Sequence, residues 1–316
     1  MASLHPFNLS GKWYKGNLHS HSTESDGIRS PMEVMNWYSS HGYDFNSITD
    51  HNRLTIPDKF GKPPLLAIPG TELTCRRCDQ EYHILGIGLD SMPIESQQDP
   101  QQAIDAITAV GGISIIAHPY WHDLQLDDML PLGGHDGIEI YNTGCWIEQQ
   151  RGHALVHWDA LTSRGQKIWG YAVDDSHWKT ADHGGGWIVV RANKLDQVSI
   201  INAIKQGDFY SSCGPEIQDI SLEGDKLTVK SSPARSIYVF DQYHYSPLAV
   251  NAWDGDTFEE GANYIFEKIG KKKPITEANF KIKPLQEIIR IEVVDFHGRS
   301  AWSNPYFRNS DQNNWD

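Results

Sequence analysis

Gly16-Asn17-Leu18-His19-Ser20-His21, with Asp50-His51-Asn52 following one helix later, is the stretch on which the reading of this chain turns. Alternate residues of a strand point to one face, so His19 and His21 can direct both rings into a single cavity, as two ligands of one divalent ion must. Three imidazoles and the Asp50 carboxylate thereby gather at the ends of the first two expected strands.

Outward from that stretch, the first two thirds of the chain alternate short apolar runs with amphipathic ones, the pattern of βα units around a parallel sheet or barrel. Ser30-Pro31-Met32-Glu33 supplies an N-cap, a proline at the first helical position and a capping-box glutamate, with Gly42 to close the helix. A strand over 45–49 follows. Asp99-Pro100 with Gln102 opens a helix that buries Ala103, Ile104, Ile107 and Val110 and stops at Gly111-Gly112. Further strands are expected at 65–71, 83–88, 113–117, 137–141, 167–173 and 187–191, and helices at 147–163 and 195–206. After about Gly214 the style changes to strands without intervening helices, at 217–222, 226–230, 237–240, 279–282 and 288–295. The expected division is an α/β unit over 1–215 and a β-rich module over 216–316, the last residues, 309–316, reading as a polar tail.

Placed on this map, polar residues recur at the downstream ends of strands: Asp50 and His51, Glu72, His118, then Asp175 and His177. In a βα barrel that edge is the active-site face. Asp26 lies in the loop beyond the first strand and can return to the same mouth, whereas His83 sits at the start of its apolar run. A single buried histidine is ordinarily a hydrogen-bonded core residue. Six imidazoles and three carboxylates at one mouth are another matter, because each unpaired buried charge costs several kcal/mol without cations.

In order, the motifs resemble those of the polymerase and histidinol phosphatase (PHP) superfamily: a His-x-His pair (His19, His21), an Asp-His (Asp50-His51), a Glu (Glu72), two isolated histidines (His83, His118) and a final Asp-x-His (Asp175-Ser176-His177). The resemblance covers roughly residues 13–215. Within the superfamily, residues 13–21, Gly185-Gly186-Trp187, residues 209–215 and Ala301-Trp302-Ser303-Asn304-Pro305 look like the branch that includes carbaryl hydrolase. The resemblance implies a distorted seven-stranded βα barrel of the TIM-like kind with a sandwich-like β-rich module beside it. It also implies two to three divalent ions. His19, His21, Glu72 and Asp175 would hold one, Glu72, His83 and His118 a second with Glu72 bridging, and Asp26, His51 and His177 a third. Mixed nitrogen and oxygen donors suit zinc, manganese or iron and do not choose among them.

Other groups have lesser claims. Tyr141 and Asn142 end a strand, and His122 and His183 follow ligand-bearing strands, so all four are candidates to face substrate. Trp121, Trp146, Trp178 and Trp187 could line a pocket for an apolar leaving group. His5, His41, His135, His153 and His297 are expected at solvent-exposed positions. Cys75-Arg76-Arg77-Cys78 has the spacing of half a zinc ribbon but lacks a second pair, and reads as a loop with two free thiols.

Composition bounds the function. A chain of 316 residues, 39% hydrophobic, can bury a sizeable core, and four cysteines make no disulfide framework. A net charge of -14 argues against a nucleic-acid surface, and the one dense basic run, Lys271-Lys272-Lys273, reads as a solvated turn. No leader pattern and no membrane-length apolar segment is legible, so a soluble, cytoplasmic protein acting on a small molecule is expected. The reaction ranked first is hydrolysis by a metal-bridged hydroxide of a small phosphomonoester or cyclic phosphodiester, with Asp175 and with His51 or His177 as candidate catalytic groups. A carbamate or carboxylic ester hydrolase is the alternative, and a noncatalytic metal-binding module ranks third. The β-rich module is a candidate to cap the site, mediate assembly into a homo-oligomer or bind a partner, with plain packing as its default role.

Overall fold

The computed structural model describes residues 2–243, 248–251, 274–309 and 314–315. Lys271-Lys272-Lys273 and most of 309–316 lie outside the described residues, although Asn314–Trp315 pairs with Tyr306–Asn309 as a short antiparallel strand. The chain forms two compact units, residues 11–206 and residues 1–10 with 207–316.

The first unit is a mixed α/β barrel. Its strands are β1 (Lys12–Asn17), β2 (Phe45–Ile48), β3 (Leu66–Arg77), β4 (Gln80–Ile87), β5 (Ile113–Ile116), β6 (Gly137–Asn142) and β7 (Trp169–Val173), with β8 (Trp187–Ala192) antiparallel on the outer side of β1. β1, β2 and β3 run parallel, as do β5, β6 and β7. The order closes where the chain beyond β1 meets the chain beyond β7, through Asp175 N–H to His19 O and His21 N–H to Ser176 O, each 2.9 Å.

β4 runs antiparallel to both β3 and β5. The stretches expected as separate βα strands at 65–71 and 83–88 are thus the inner ends of one long hairpin. Its turn is at Cys78 (φ 54°), so Cys75 is buried in a strand and Cys78 exposed, both as free thiols.

The helix signals act as expected. Ser30 and Glu33 form a reciprocal capping box at α1 (Pro31–Ser40), whose Val34, Met35 and Tyr38 pack on Ile48, Tyr43 and Trp178. Asp99 caps α2 (Pro100–Ala109), burying Ala103, Ile104 and Ile107, while Val110 falls at the C-cap and is exposed. The helix expected over 147–163 is two, Thr143–Gln149 and Leu155–Thr162. Between them Gln150 takes a left-handed φ of 60° and Gly152 O accepts from Asn142 N–H at 2.9 Å, where a Cβ on Gly152 would lie 2.3 Å from Asn142 O. Local helix propensity yields there to a tertiary backbone contact.

The second unit is antiparallel throughout its paired strands. Ile217–Glu223, Lys226–Ala234 and Ile275–Lys281 form one ladder, to which Ala2–Ser3 adds through Ile217–Glu223. Ser236–Asp241 pairs with Leu248–Asn251 and Ile288–Val294, and Ser300–Ser303 pairs with Ile288–Val294 and with Phe209–Ser212. Residues 1–10 and 207–215, placed by sequence with the barrel, therefore pack with the β-rich part because their backbone hydrogen bonds go there.

Candidate metal centre

The chain just beyond β1, β2, β5 and β7, together with the β3–β4 hairpin, supplies the site. The closure between β1 and β7 lays the His19-Ser20-His21 and Asp175-Ser176-His177 stretches side by side, with Ser20 and Ser176 bridged. A second bridge aligns His51 with Glu72, and Glu72 N–H donates to Asp50 O at 3.2 Å. His118 (φ 25°) and Asp175 (φ 55°) sit in left-handed backbone that ordinary side chains avoid, a strain that collects where function fixes geometry.

His19 Nε2, His21 Nε2, Glu72 Oε2 and Asp175 Oδ1 converge. The two nitrogens are 3.1 Å apart, His19 Nε2 is 3.2 Å from each carboxylate oxygen, and His21 Nε2 is 3.2 Å from Glu72 and 3.0 Å from Asp175. Donors about 2.1 Å from a tetrahedral ion lie about 3.4 Å from one another, so this cluster has the size of a first coordination sphere. Glu72 Oε2 and Asp175 Oδ1 are buried and have no hydrogen-bond partner. Two orphaned carboxylate oxygens facing two imidazole nitrogens is the donor set a divalent cation fits.

Glu72 also serves a second group through its other oxygen. Oε1 lies 2.7 Å from His83 Nδ1 and 3.0 Å from His118 Nε2. A third, more open group lies toward the mouth: Asp26 Oδ2 is 3.3 Å from His177 Nε2, and Asp26 Oδ1 is 3.7 Å from His51 Nε2. His51 Nδ1 turns to Glu72 Oε2 at 3.1 Å, joining the inner and outer groups.

Electrostatics describe a site that demands positive charge. Burial alone would depress both His19 and His21, but Asp175, Glu72 and Glu139 hold His19 well above its ordinary value. Asp175 and Glu72 raise His21 to about 9. Against the opposing effect of their own burial, the surrounding rings keep the Glu72 and Asp175 carboxyls well below the usual carboxylate range. Burial brings His51 down to about 4, so its ring is neutral near pH 7, the form that ligates a metal rather than one that stores a proton.

Sequence-selected residues do not all arrive. Asp50 is buried but spends its oxygens on Ser22, Ser25 and Thr55, tying down the loop that carries Asp26. Asn142 is buried, donating to Glu139 Oε2 at 2.9 Å and Asp175 Oδ2 at 3.2 Å while accepting from Cys145 N–H, so it holds a ligand rather than facing substrate. Tyr141 packs against His153, and His183 stacks on Trp178 and meets Trp37 edge-on; neither lines the cavity. His122 does reach the centre, 4.5 Å from the His83 ring and 5.0 Å from that of His118. Of the four tryptophans only Trp121 lines the cavity; Trp178 is core, and Trp187 carries the Lys15 ammonium over its ring. His135, expected in solvent, is buried, which lowers it to about 4.

Glu139 is the residue that sequence reading passed over. Its Oε1 accepts from His19 Nδ1 at 2.6 Å and its Oε2 from His118 N–H at 2.8 Å, fully inside the barrel. In the neutral ring that bond favours the proton on Nδ1, the tautomer whose Nε2 can ligate. The available signal was a carboxylate in the otherwise apolar Ile138-Glu139-Ile140 run of a strand buried on both faces.

The cavity above the cluster measures about 250 Å³, and besides the candidate ligands Trp121, Cys145, Glu148 and Lys179 line it. No family profile and no curated protein matches the chain. Among solved structures, a two-domain protein from Bacteroides vulgatus containing a predicted PHP-like metal-dependent phosphoesterase is similar over 90% of this chain and 91% of its own, with a TM-score of 0.51 and 16% identity. The chain has a PHP-type fold. An amidohydrolase from Chromobacterium violaceum matches over 53% of this chain and 89% of its own, at a TM-score of 0.41 and 16% identity. A lesion-specific endonuclease from Pyrococcus furiosus matches over 62% of this chain and 56% of its own, at 0.42 and 12%. Neither of these two partial matches bears on the reading of the site.

Proposed function

We propose that this protein is a metal-dependent hydrolase of a small phosphomonoester or cyclic phosphodiester. The observation that carries the reading is the inner cluster, in which Glu72 Oε2 and Asp175 Oδ1 are buried and unpartnered within 3.2 Å of two imidazole nitrogens. His19, His21, Glu72 and Asp175 hold one divalent ion, Glu72, His83 and His118 a second, and Asp26, His51 and His177 a third, with zinc, manganese or iron suited to these donors. When bound, such ions lower the pKa of water and polarise the ester under attack.

The chain's own residues do the rest. Glu72 spans two positions because its oxygens face different histidines. Glu139 and Asn142 lock His19 and Asp175 from behind. Lys179 Nζ, 3.4 Å from Asp26 Oδ2 at the rim, offers an ammonium to an anionic substrate oxygen. A polar rim with a single tryptophan favours a phosphate over the aryl carbamate or carboxylic ester to which the likeness to the carbaryl hydrolase branch points. The substrate is small, to match the cavity, and no nucleic acid is required. Among the described residues no helix is long and apolar enough to cross a membrane.

The test is a substrate panel on metal-free protein reloaded with zinc, manganese or iron(II): an aryl phosphate and a cyclic phosphodiester against an aryl acetate and an aryl carbamate. Phosphoester cleavage that disappears in His19→Ala and Asp175→Ala supports the proposal. Rapid ester cleavage with inert phosphates reverses the ranking. Tight metal binding without any turnover makes this a noncatalytic module, and activity that survives metal removal excludes the mechanism.

A further inference from the structure

Just beyond β5 the chain folds back on itself. Trp121 N–H donates to His118 O at 2.9 Å, Asp123 N–H to Tyr120 O at 3.2 Å, and Leu124 N–H to Pro119 O at 3.0 Å. Two outside contacts pin this turn. Arg151 Nη1 holds the Asp123 carboxylate at 2.7 Å, and Gln80 Nε2, at the start of β4, donates to His122 O at 2.9 Å. The turn delivers the His122 ring over His83 and His118, with Trp121 standing edge-on against it at 4.8 Å.

One ring nitrogen from each of His83, His118 and His122 lies within 4.8 Å of the others. Donors about 2.1 Å from a tetrahedral ion are about 3.4 Å apart, so ring rotations that draw the three nitrogens together would close the set. His122 Nε2 is buried and has no hydrogen-bond partner, a state that costs free energy unless another group takes up its lone pair or proton. Glu72 Oε1 flanks this set rather than joining it, 2.7 Å from His83 Nδ1 and 3.0 Å from His118 Nε2.

We propose that His122 is a metal ligand, completing with His83 and His118 a position of three imidazoles beside the Glu72 carboxylate. The inference rests on the metal-dependent reading above and sharpens it, because a nitrogen-rich position favours zinc over manganese or magnesium, whereas a position with two imidazoles and water is more permissive. It also gives the turn a purpose: Gln80 and Arg151 hold its backbone so that the ring is presented in place, as ligand-orienting neighbours do.

The test uses full-length, metal-free protein titrated with Zn²⁺ against a chromophoric chelator, and with Co²⁺ followed by its visible absorption. His122→Ala and the polar His122→Asn are compared with wild type and with His297→Ala, an exposed histidine in the other unit. The expected result is that both His122 variants lose affinity for one bound equivalent by about tenfold or more, with a changed cobalt spectrum, while the His297 variant does not. The preference of that equivalent for Zn²⁺ over Mn²⁺ should narrow as well. Wild-type affinity, stoichiometry and cobalt spectrum in a folded His122 variant overturn the assignment and leave the metal-dependent reading standing. Failure of wild type to bind either metal sinks both. Should His122→Ala not fold, His122→Asn decides by the same criteria.

Discussion

Replacing Glu139 by Gln is a sharp test of how the centre is held. Glu139 accepts three hydrogen bonds in the barrel interior: Oε1 from His19 Nδ1, and Oε2 from both His118 N–H and Asn142 Nδ2. A glutamine accepts at one end only. If its oxygen stays with the two donors, its NH₂ faces His19 Nδ1, which must then become an acceptor and shift the imidazole proton to Nε2, the atom that faces Glu72 and Asp175. Flipping the amide rescues His19 and strands two donors, at about 1–3 kcal/mol each, so the first arrangement is preferred. The wrong tautomer is then built into a folded protein. Loss of such a carboxylate behind a metal-bound histidine costs about 10–100-fold in metal affinity, equivalent to about 1.4–2.7 kcal/mol. Glu139→Ala strands all three donors, about 3–9 kcal/mol against a total stability of about 5–15 kcal/mol, and is expected to fold poorly. Zinc titration against a chelator, with circular dichroism to confirm folding, reads the result. A folded Glu139→Gln protein that binds zinc as tightly as wild type refutes the role assigned to this carboxylate.

Three further outcomes follow from the same coordinates. In metal-free protein the raised His21 contributes stability in full below pH 6.5, its unfolded value, and loses it as pH climbs through about 9. The Tm of metal-free protein should therefore fall between pH 6.5 and 9 and the fall should be abolished by Zn²⁺, which replaces the proton; a flat profile without metal contradicts the charge demand of the cluster. Asp174→Asn should lower Tm by about 5 °C or more, because Asp174 accepts from Gly184, Gly185 and Gly186 N–H and from Tyr38 and Thr143 hydroxyls, and whichever way the amide turns its NH₂ meets at least one backbone N–H that cannot accept. Unchanged thermal stability refutes it. Gly137→Ala places a Cβ 2.0 Å from Trp169 O in the neighbouring strand, so soluble protein of wild-type Tm is the result that contradicts the register of β6 on β7.

Most of the candidate ligands were legible in sequence because they lie just past the end of a strand, where side chains have little reason to be ionisable unless they meet one another, whereas Glu72 and His83 sit inside the β3–β4 hairpin and Asp26 in the loop beyond β1. His19 with His21 and Asp175 with His177 also carry strand periodicity, which survives as the closure between β1 and β7. What sequence hid was set by tertiary contact. The β3–β4 hairpin looked like two βα strands because only the pairing of Thr74 with His83 and of Glu72 with Leu85 shows that the chain doubles back. The break at Gln150 was invisible because it serves a bond from Asn142 to Gly152.

Glu139 was passed over, and His122 read only as a candidate to face substrate, for a common reason. Pattern reading asks which face a residue occupies, but their importance lies in which atom remains unsatisfied or whose proton is fixed. Glu139 is spent entirely on other residues of the site, so its value appears only once His19 has been given a partner on each nitrogen. His122 is the converse, a buried ring nitrogen without a hydrogen-bond partner, near two imidazoles already turned toward Glu72. An acid satisfied three times over and a base left without a partner are complementary parts of one device: the first fixes the direction of a ligand, and the second reveals where a ligand's electron pair is meant to go.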